Sequence, residues 1–225
     1  MKIIKAKNYR ELSKKASEII INQIKKKPTS VIGFATGKTP RKVYKLLAKE
    51  YKKGKIDFSK IRAFSLDEFY PIKKSDKKSF YYYLHKNLFN KVNIKKENIN
   101  LLNGETKNWK KECRDYEKKV RRSDLIILGV GVNGHIAFNE PGSSFNSKTR
   151  LVKLKHKAYK PGALTIGIST IMKSKKLLLL ASRKSKAEAI RCLAKCKPNK
   201  CCPVTFLKKH RNLIVIVDKK AGKLL

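Results

Sequence analysis

The chain has 225 residues and a mass of 25.8 kDa, which fits a single domain with a full hydrophobic core over residues 1–225. Apolar residues make up 41% of it, and 57 Lys and Arg against 16 Asp and Glu give a formal net charge of +41. No apolar run approaches the ~18 residues of a membrane-spanning helix, and the apolar part of the N-terminus is too short for a signal peptide. Five cysteines are too few for a disulfide scaffold, so we expect a protein of the reducing cytoplasm with no membrane partner.

The positive charge raises the question of a nucleic-acid partner, because Lys and Arg supply most non-specific phosphate binding. The basic residues are scattered over the whole chain, however, and only ten of them are Arg, the better reader of bases. This distribution favours a solvated basic surface without a nucleic-acid partner. A polyanion-binding protein is kept as the alternative from a different functional class.

Short apolar runs alternate along the chain with patterns of helical spacing. The first pattern places Leu12, Ala16, Ile20 and Ile24 on one helical face. In chain order the sequence predicts helices over residues 9–26, 40–47, 80–89 and 187–196. It predicts strands over residues 31–35, 61–66, 125–128, 163–168, 177–181 and 213–217. This alternation indicates an α/β fold, a single Rossmann-like domain with a mostly parallel sheet flanked by helices, in which ligands bind beyond the carboxyl ends of the strands.

The turn after the first predicted strand has features of a phosphate site. Gly33 and the run Gly37-Lys38-Thr39 resemble a nucleotide P-loop, but three residues separate the glycines where that motif needs four. Pro40 then suits the first turn of a helix, whose N-terminal N–H groups and dipole favour an anion. A simple phosphate cradle and an ordinary strand-to-helix turn both remain open.

A second glycine motif, residues 129–134, fits the dinucleotide pattern G-x-G-x-x-G. That fingerprint needs an acidic residue about 20 positions further on, and no Asp or Glu occurs between Glu140 and Glu188. Pro141 also cuts short any helix that opens at the glycines. The sequence therefore argues against a nicotinamide or flavin enzyme.

Two polar segments, residues 65–70 and 133–142, hold most of the groups suited to chemistry, and each follows a predicted strand. Asp67 at a strand end can act as a general base, and His135 tuned by a nearby Glu can shuttle a proton near neutral pH. The alternative is that Asp67 caps a helix and His135 is an ordinary turn residue. Residue types and spacing leave both interpretations open.

The stretch GVGVNGHIAFNEPGSSFNSKTR, residues 129–150, resembles the signature of the glucosamine-6-phosphate deaminase (isomerase) family. ATGKTP at 35–40 resembles the family's phosphate loop, with Lys38 in place of its second Gly, and SLDEFYPI at 65–72 resembles its Asp-Glu-Tyr segment. Residues 79–104, LLLLASRKSKAEAI and PVTFLKKH also match. The resemblance covers about residues 31–218.

The resemblance implies a role for each group. Asp67 would move a proton from C2 to C1 of the open-chain aminosugar, and His135, oriented by Glu140, would open the pyranose ring. Asn133 stands at a position that is Asp in some members and Asn in others. The phosphate would be held by Thr36, Gly37, Lys38, Thr39 and Lys186.

The implied reaction converts glucosamine 6-phosphate to fructose 6-phosphate and ammonia, with no metal or organic cofactor. The related sugar-phosphate lactonase is the alternative enzyme, and the HIAFNEPGSS run favours the deaminase. We expect a monomer or simple homo-oligomer, because the chain ends soon after Asp218, without the long tail of the allosteric hexameric members.

The sequence departs from the family between Leu151 and Gly162, where members have a longer segment with an Arg-containing loop that contacts the phosphate. We expect the phosphate ligand of that loop to be either missing or replaced, with Lys157 and Lys160 as the candidates for a replacement. Cys192, Cys196, Cys201 and Cys202 lack the paired C-x2-C spacing of zinc knuckles, so we expect no metal site. Cys192 and Cys196 are instead expected on one helix, packed in the core.

Overall fold

The computed structural model describes residues 1–120, 122–154 and 159–225. Its strands are β1 (Lys2–Ala6), β2 (Val31–Phe34), β3 (Arg62–Ser65), β4 (Asp67–Tyr70), β5 (Ile99–Asn100), β6 (Leu125–Gly129), β7 (Arg150–Lys153), β8 (Gly162–Thr165), β9 (Leu177–Ala181) and β10 (Leu213–Asp218). Its α-helices are α1 (Tyr9–Lys26), α2 (Arg41–Lys52), α3 (Phe80–Asn87), α4 (Trp109–Val120), α5 (Ile168–Met172) and α6 (Ala187–Lys195).

Seven strands form the central sheet in the order β1-β10-β9-β6-β2-β3-β5. Every neighbouring pair in this sheet is parallel. Parallel strands need crossover connections, and the helices between them lie on the faces of the sheet. The predicted α/β fold with a mostly parallel sheet is confirmed.

The central sheet is buried on both faces. In β6, Ile126 and Leu128 pack into one hydrophobic cluster, whereas Leu125 and Ile127 pack into the cluster on the opposite face. All four side chains are fully buried, and each contributes about 1.5–3 kcal/mol relative to an exposed position. This explains why the strand reads as a continuous apolar run rather than an alternating one.

A second, antiparallel sheet has the order β4-β8-β7. Only Leu66 separates β3 from β4, so the chain passes from one sheet to the other at the start of β4. The prediction of one strand over residues 61–66 was therefore incomplete. The strand expected over 163–168 is β8, which ends at Thr165 because the chain turns into α5 from Ile168.

Helix α1 matches its predicted bounds. Asn8 caps it by accepting a hydrogen bond from the Glu11 N–H at 3.0 Å, and Leu12, Ala16 and Ile20 are fully buried on its inner face. The helix expected over 80–89 is α3, which ends at Asn87 and is followed by a short 3₁₀ turn. Within the described residues, no helix is long and apolar enough to cross a membrane.

Candidate active site

A cleft of about 450 Å³ opens at the carboxyl edge of the central sheet, beyond β2, β6 and β9. Parallel strands all end at this edge, so loops that are far apart in sequence meet there. Seven of the nine predicted site residues line the cleft: Thr36, Gly37, Lys38, Thr39, Asp67, His135 and Lys186. The other two, Asn133 and Glu140, support His135 through the contacts described below.

The loop between β2 and α2 presents backbone N–H groups to this cleft. Gly37 adopts a φ of +102°, which favours glycine, and Pro40 immediately precedes helix α2. Within the described residues, no acceptor is hydrogen-bonded to the N–H groups of Gly37, Lys38 or Thr39. Unpaired N–H groups beside a helix N-terminus form a site for an anion, so the structure favours the phosphate cradle over the ordinary turn.

Three tyrosine hydroxyls from three helices fix the orientation of this loop. Tyr44 donates to the Ala35 carbonyl at 2.5 Å, Tyr83 to the Gly37 carbonyl at 2.5 Å, and Tyr9 to the Thr39 carbonyl at 2.9 Å. The C=O and N–H of a trans peptide point in opposite directions. Holding the carbonyls of Ala35 and Gly37 against the helices therefore turns the N–H groups of Thr36 and Lys38 away from the tyrosines. The Tyr9 hydroxyl also lies 3.1 Å from the Lys38 carbonyl and orients the N–H of Thr39 in the same way. Sequence reasoning missed this role, because each tyrosine fits an ordinary helical pattern.

Asp67 is the buried carboxylate of the cleft. It lies at the start of β4, paired with Thr165 of β8, and is only 7% exposed. Its Oδ1 has no hydrogen-bond partner among the described residues. Burial, with a smaller contribution from the negative charge of Glu68, raises the pKa of Asp67 to about 8. Such a carboxyl group accepts a proton readily and keeps it near neutral pH.

The neighbouring carboxylate, Glu68, stabilises the start of helix α3. Its oxygens accept hydrogen bonds from the N–H groups of Phe80 at 2.9 Å and Tyr81 at 2.8 Å, at the start of α3. Burial raises the pKa of Glu68 to about 7 even though these N–H groups oppose the shift. The helix-capping role that the sequence left open for Asp67 is therefore shared by Glu68 and by the N-cap residue Ser79, whose Oγ accepts from Tyr82 N at 3.0 Å.

His135 is part of a chain of polar contacts on the loop after β6. Its Nδ1 lies 2.9 Å from Oε1 of Glu140, and Oε2 of Glu140 accepts a hydrogen bond from Asn133 Nδ2 at 2.7 Å. Burial and the positive charge of Lys186 lower the pKa of His135, while Glu140 raises it. The net lowering favours a neutral imidazole, which can both accept and donate a proton near pH 7.

Two glycines allow this loop to pack closely. A Cβ on Gly131 would collide with the ring of His135, and a Cβ on Gly134 would collide with Sγ of Cys202. Gly134 also has a φ of +82°, and its carbonyl accepts a hydrogen bond from Val204 N at 2.8 Å. The glycines that resemble a dinucleotide fingerprint thus serve to place His135 against its supporting segment.

Asn139 fixes the second half of the same loop. It is fully buried, and its Nδ2 donates to the carbonyls of Ile136 and Ile166 at 2.9 Å each. Its Oδ1 accepts from the Arg150 guanidinium at 2.9 Å. The sequence analysis assigned no role to Asn139. The feature that could have indicated one is a polar side chain within an apolar run close to a strand.

The remaining expectations concern the short segment and the cysteines. Lys157 lies outside the described residues, and Lys160 lies over the Tyr159 ring at 5.0 Å from its centroid rather than along the cleft.

Cys192 and Cys196 are one turn apart at the end of α6, with sulfurs 3.2 Å apart, and both are half-buried. Among the described residues, no three His, Cys, Asp or Glu side chains are grouped to hold a metal ion.

A parallel α/β sheet whose cleft combines an anion cradle with a carboxylate and an imidazole defines an enzyme site for a small phosphorylated substrate. Comparison with known proteins is more specific. Residues 5–216 match the family described as glucosamine-6-phosphate isomerases/6-phosphogluconolactonase, and the chain belongs to this family. The resemblance found in the motifs is confirmed.

Individual relatives extend over the whole chain. A glucosamine-6-phosphate deaminase of Thermoanaerobacter sp. (strain X514) is 43% identical over 241 aligned positions, covering 100% of this chain and 95% of that protein. One of Clostridium botulinum (strain Hall) is 44% identical and covers 100% and 99%. The structure of a monomeric glucosamine-6-phosphate deaminase matches with a TM-score of 0.97 and 36% identity over 100% of both chains. A 6-phosphogluconolactonase from Trypanosoma cruzi, at 22% identity and a TM-score of 0.85 over 100% and 96%, shares the fold.

Proposed function

We propose that this enzyme converts glucosamine 6-phosphate into fructose 6-phosphate and ammonia. The observation that carries the proposal is that one cleft joins the anion cradle at residues 36–39 to the buried carboxylate of Asp67 and the imidazole of His135. Ring opening followed by proton transfer between adjacent carbons needs these two kinds of acid–base group. The relatives at 43% and 44% identity carry the deaminase name. The description of the family covers both activities, and the 6-phosphogluconolactonase structure, at 22% identity, shows the fold alone.

The phosphate end of the substrate binds at the cradle. Residues 37–39 and Lys186 line this end of the cleft, and their backbone N–H and ammonium groups are the donors we assign to the phosphate. Lys186 is half-buried, so its charge is screened less by solvent than that of a surface lysine. This arrangement fixes the sugar so that its reacting carbons lie toward Asp67.

His135 opens the sugar ring. A neutral imidazole takes the proton from the C1 hydroxyl and returns it to the ring oxygen as the C1–O5 bond breaks. Glu140 stabilises the imidazolium that forms between these two transfers, because its carboxylate lies 2.9 Å from Nδ1. Asn133 holds Glu140 in this position through its amide.

Asp67 then moves the proton between the two carbons. The ionised carboxylate takes the C2 proton of the open-chain aldehyde and the resulting carboxylic acid delivers it to C1. The buried environment that raises the pKa of Asp67 to about 8 makes the carboxylate a stronger base. During this transfer the aldehyde oxygen gains a proton and the amino group loses one, so delivery to C1 leaves a hydroxyl at C1 and an imine at C2. Water then adds to the imine and ammonia leaves, which gives the ketone.

The test is to incubate the purified protein with glucosamine 6-phosphate and to measure ammonia and fructose 6-phosphate in parallel. We expect both products in equal amounts, and Asp67→Asn should reduce the rate by about 10²–10⁴-fold because it keeps the shape and removes the base. The matched control is Asp115→Asn on helix α4, an exposed carboxylate paired with Lys111, which should keep full activity. Absence of ammonia with the wild-type protein, or near-normal turnover by Asp67→Asn, would contradict the proposal.

The acid limb of the pH profile provides a second readout. Because Asp67 must be ionised to act as a base, kcat/KM should fall as the pH drops below about 8. Galactosamine 6-phosphate and 6-phosphogluconolactone should be tested beside the main substrate, since they separate the sugar configuration and the lactonase reaction from deamination.

We further propose that the enzyme works in the cytoplasm as a monomer or simple homo-oligomer. The free thiols of its cysteines suit a reducing compartment. The structural relative with a TM-score of 0.97 is described as monomeric. Light scattering on the purified protein measures the oligomeric state directly.

A further inference from the structure

Arg183, just after strand β9, has an unusual backbone. Its φ is 86° and its ψ is 151°, a region that essentially only glycine populates, because a Cβ brings steric strain there. Such strain persists where surrounding contacts enforce it, and it concentrates at ligand-binding positions. An arginine at a position suited to glycine therefore needs a reason that involves its side chain.

The strained conformation is enforced by Asp218 at the end of the neighbouring strand β10. Its carboxylate accepts hydrogen bonds from Ser182 Oγ at 2.5 Å, from Arg183 N at 3.3 Å and from Ala221 N at 2.8 Å. Asp218 is 5% exposed, so this anchor is built into the sheet. It holds the Ser182 side chain and the Arg183 backbone at the carboxyl edge. Among the described residues, no ion pair joins the guanidinium group of Arg183 to a carboxylate.

Arg183, which is exposed, lines the same cleft as Lys38 and Lys186. Within the described residues, no carboxylate lies within 4.0 Å of the charged nitrogens of these three side chains. Burial and the positive charge of Arg183 lower the pKa of Lys186, so the two cations are close enough to repel each other. These positively charged groups lie together without a carboxylate partner among the described residues, beside N–H groups that have no acceptor there. Such an arrangement favours the binding of an anion that carries more than one negative charge.

We propose that Arg183 is a ligand of the substrate phosphate, opposite the N–H groups of residues 37–39. The planar guanidinium donates two parallel hydrogen bonds to one phosphate, which a lysine cannot do. Lys186 supplies a second positive charge to the same group. The assignment rests on the proposed function, because it takes the phosphate of that substrate as the anion.

The decisive variant is Arg183→Gly, since glycine removes the guanidinium and also relieves the backbone strain. We expect KM for glucosamine 6-phosphate, and the inhibition constant of inorganic phosphate, to rise about 10- to 100-fold. The value of kcat should change by less than about threefold, since the group does not touch the reacting carbons. The Tm should rise by a few degrees because the strain is gone. Arg183→Lys should give an intermediate KM without the gain in Tm.

Lys184→Ala is the matched control, because Lys184 is an exposed neighbouring cation that does not line the cleft. Its KM should equal that of the wild type. An unchanged KM in Arg183→Gly, or a fall in both Tm and kcat without a rise in KM, would overturn the assignment of Arg183 while wild-type deamination still supported the proposed function. If the wild-type protein bound inorganic phosphate through Arg183 in calorimetry without deaminating the sugar, the phosphate ligand would stand and the proposed function would fail.

Discussion

Replacing Asp67 by Asn should make the protein more stable as well as inactive, and the gain should depend on pH. The carboxyl group is 7% exposed, its Oδ1 has no hydrogen-bond partner in the described parts of the chain, and its pKa rises from 3.8 to about 8 on folding. A carboxyl group with a raised folded-state pKa stabilises the fold only while it is protonated. Its ionisation in the unfolded chain begins at lower pH, so the folded state loses stability as the pH rises toward 8.

The magnitude follows from proton linkage. Between the two pKa values the folded state carries one proton more than the unfolded state at this site, so stability falls by about 1.4 kcal/mol per pH unit. Over the whole interval the penalty is on the order of 5 kcal/mol. Asn is neutral at every pH in this range and carries no such penalty. The stability difference between Asp67→Asn and the wild type should therefore grow by about 3 kcal/mol from about pH 5 to about pH 7.

Urea unfolding of both proteins at a series of pH values measures this difference. Asp115→Asn serves as the control, because its carboxylate is exposed and its pKa is lowered, with a hydrogen bond from Lys111 as the largest cause. That variant should gain no stability as the pH rises. A difference for Asp67→Asn that stays constant with pH, or that shrinks, would refute the conclusion that burial raises the pKa of this group.

Three further variants test the supports of the site. His135→Gln should slow ring opening more than the later proton transfer, so a substrate analogue that cannot cyclise should recover most of the lost rate in a stopped-flow assay. Tyr83→Phe removes the hydrogen bond to the Gly37 carbonyl and should raise KM several-fold with little change in kcat. Gly134→Ala should lower the free energy of unfolding by about 1–3 kcal/mol in urea titration, because the left-handed backbone is strained and the new Cβ meets Cys202.

Controls separate these effects from general damage. Equal impairment of His135→Gln with cyclic and acyclic substrates would contradict its role in ring opening. The matched control for Tyr83→Phe is Tyr82→Phe on the same helix, which should leave KM unchanged. If Cys202→Ala, combined with Gly134→Ala, recovered none of the lost stability, the collision with that sulfur would not be the cause.

The short-range features of the site could be predicted from the sequence. The turn at residues 36–40 and the segments around Asp67 and His135 follow apolar runs that the periodicity identifies as strands, and the parallel sheet brings strand ends together. Helix α1 was predicted at its observed bounds because its cap and its buried face are both local. By contrast, β1 was missed because Lys2 and Lys5 interrupt its apolar pattern on an edge strand.

The orientation of the phosphate loop needed the tertiary structure. Tyr9, Tyr44 and Tyr83 lie on three different helices, and only their packing brings the three hydroxyls to one loop. No spacing in the sequence links them. The anchoring of Arg183 by Asp218 has the same origin, because residues 35 positions apart become neighbours only through the pairing of β9 with β10.

The roles of Asp67 and Glu68 could be predicted only in part from the sequence, and the tertiary structure determined the rest. The sequence alone established that two carboxylates follow a buried strand, and that one of them is suited to act as a base. It left open whether Asp67 acts as a base or caps a helix, and it assigned no role to Glu68. The pairing of Asp67 with Thr165 places β4 in its sheet, and successive side chains of a strand point to opposite faces. Asp67 is thereby buried in the cleft, while Glu68 accepts hydrogen bonds from the first N–H groups of α3. Burial raises the pKa of both carboxyl groups.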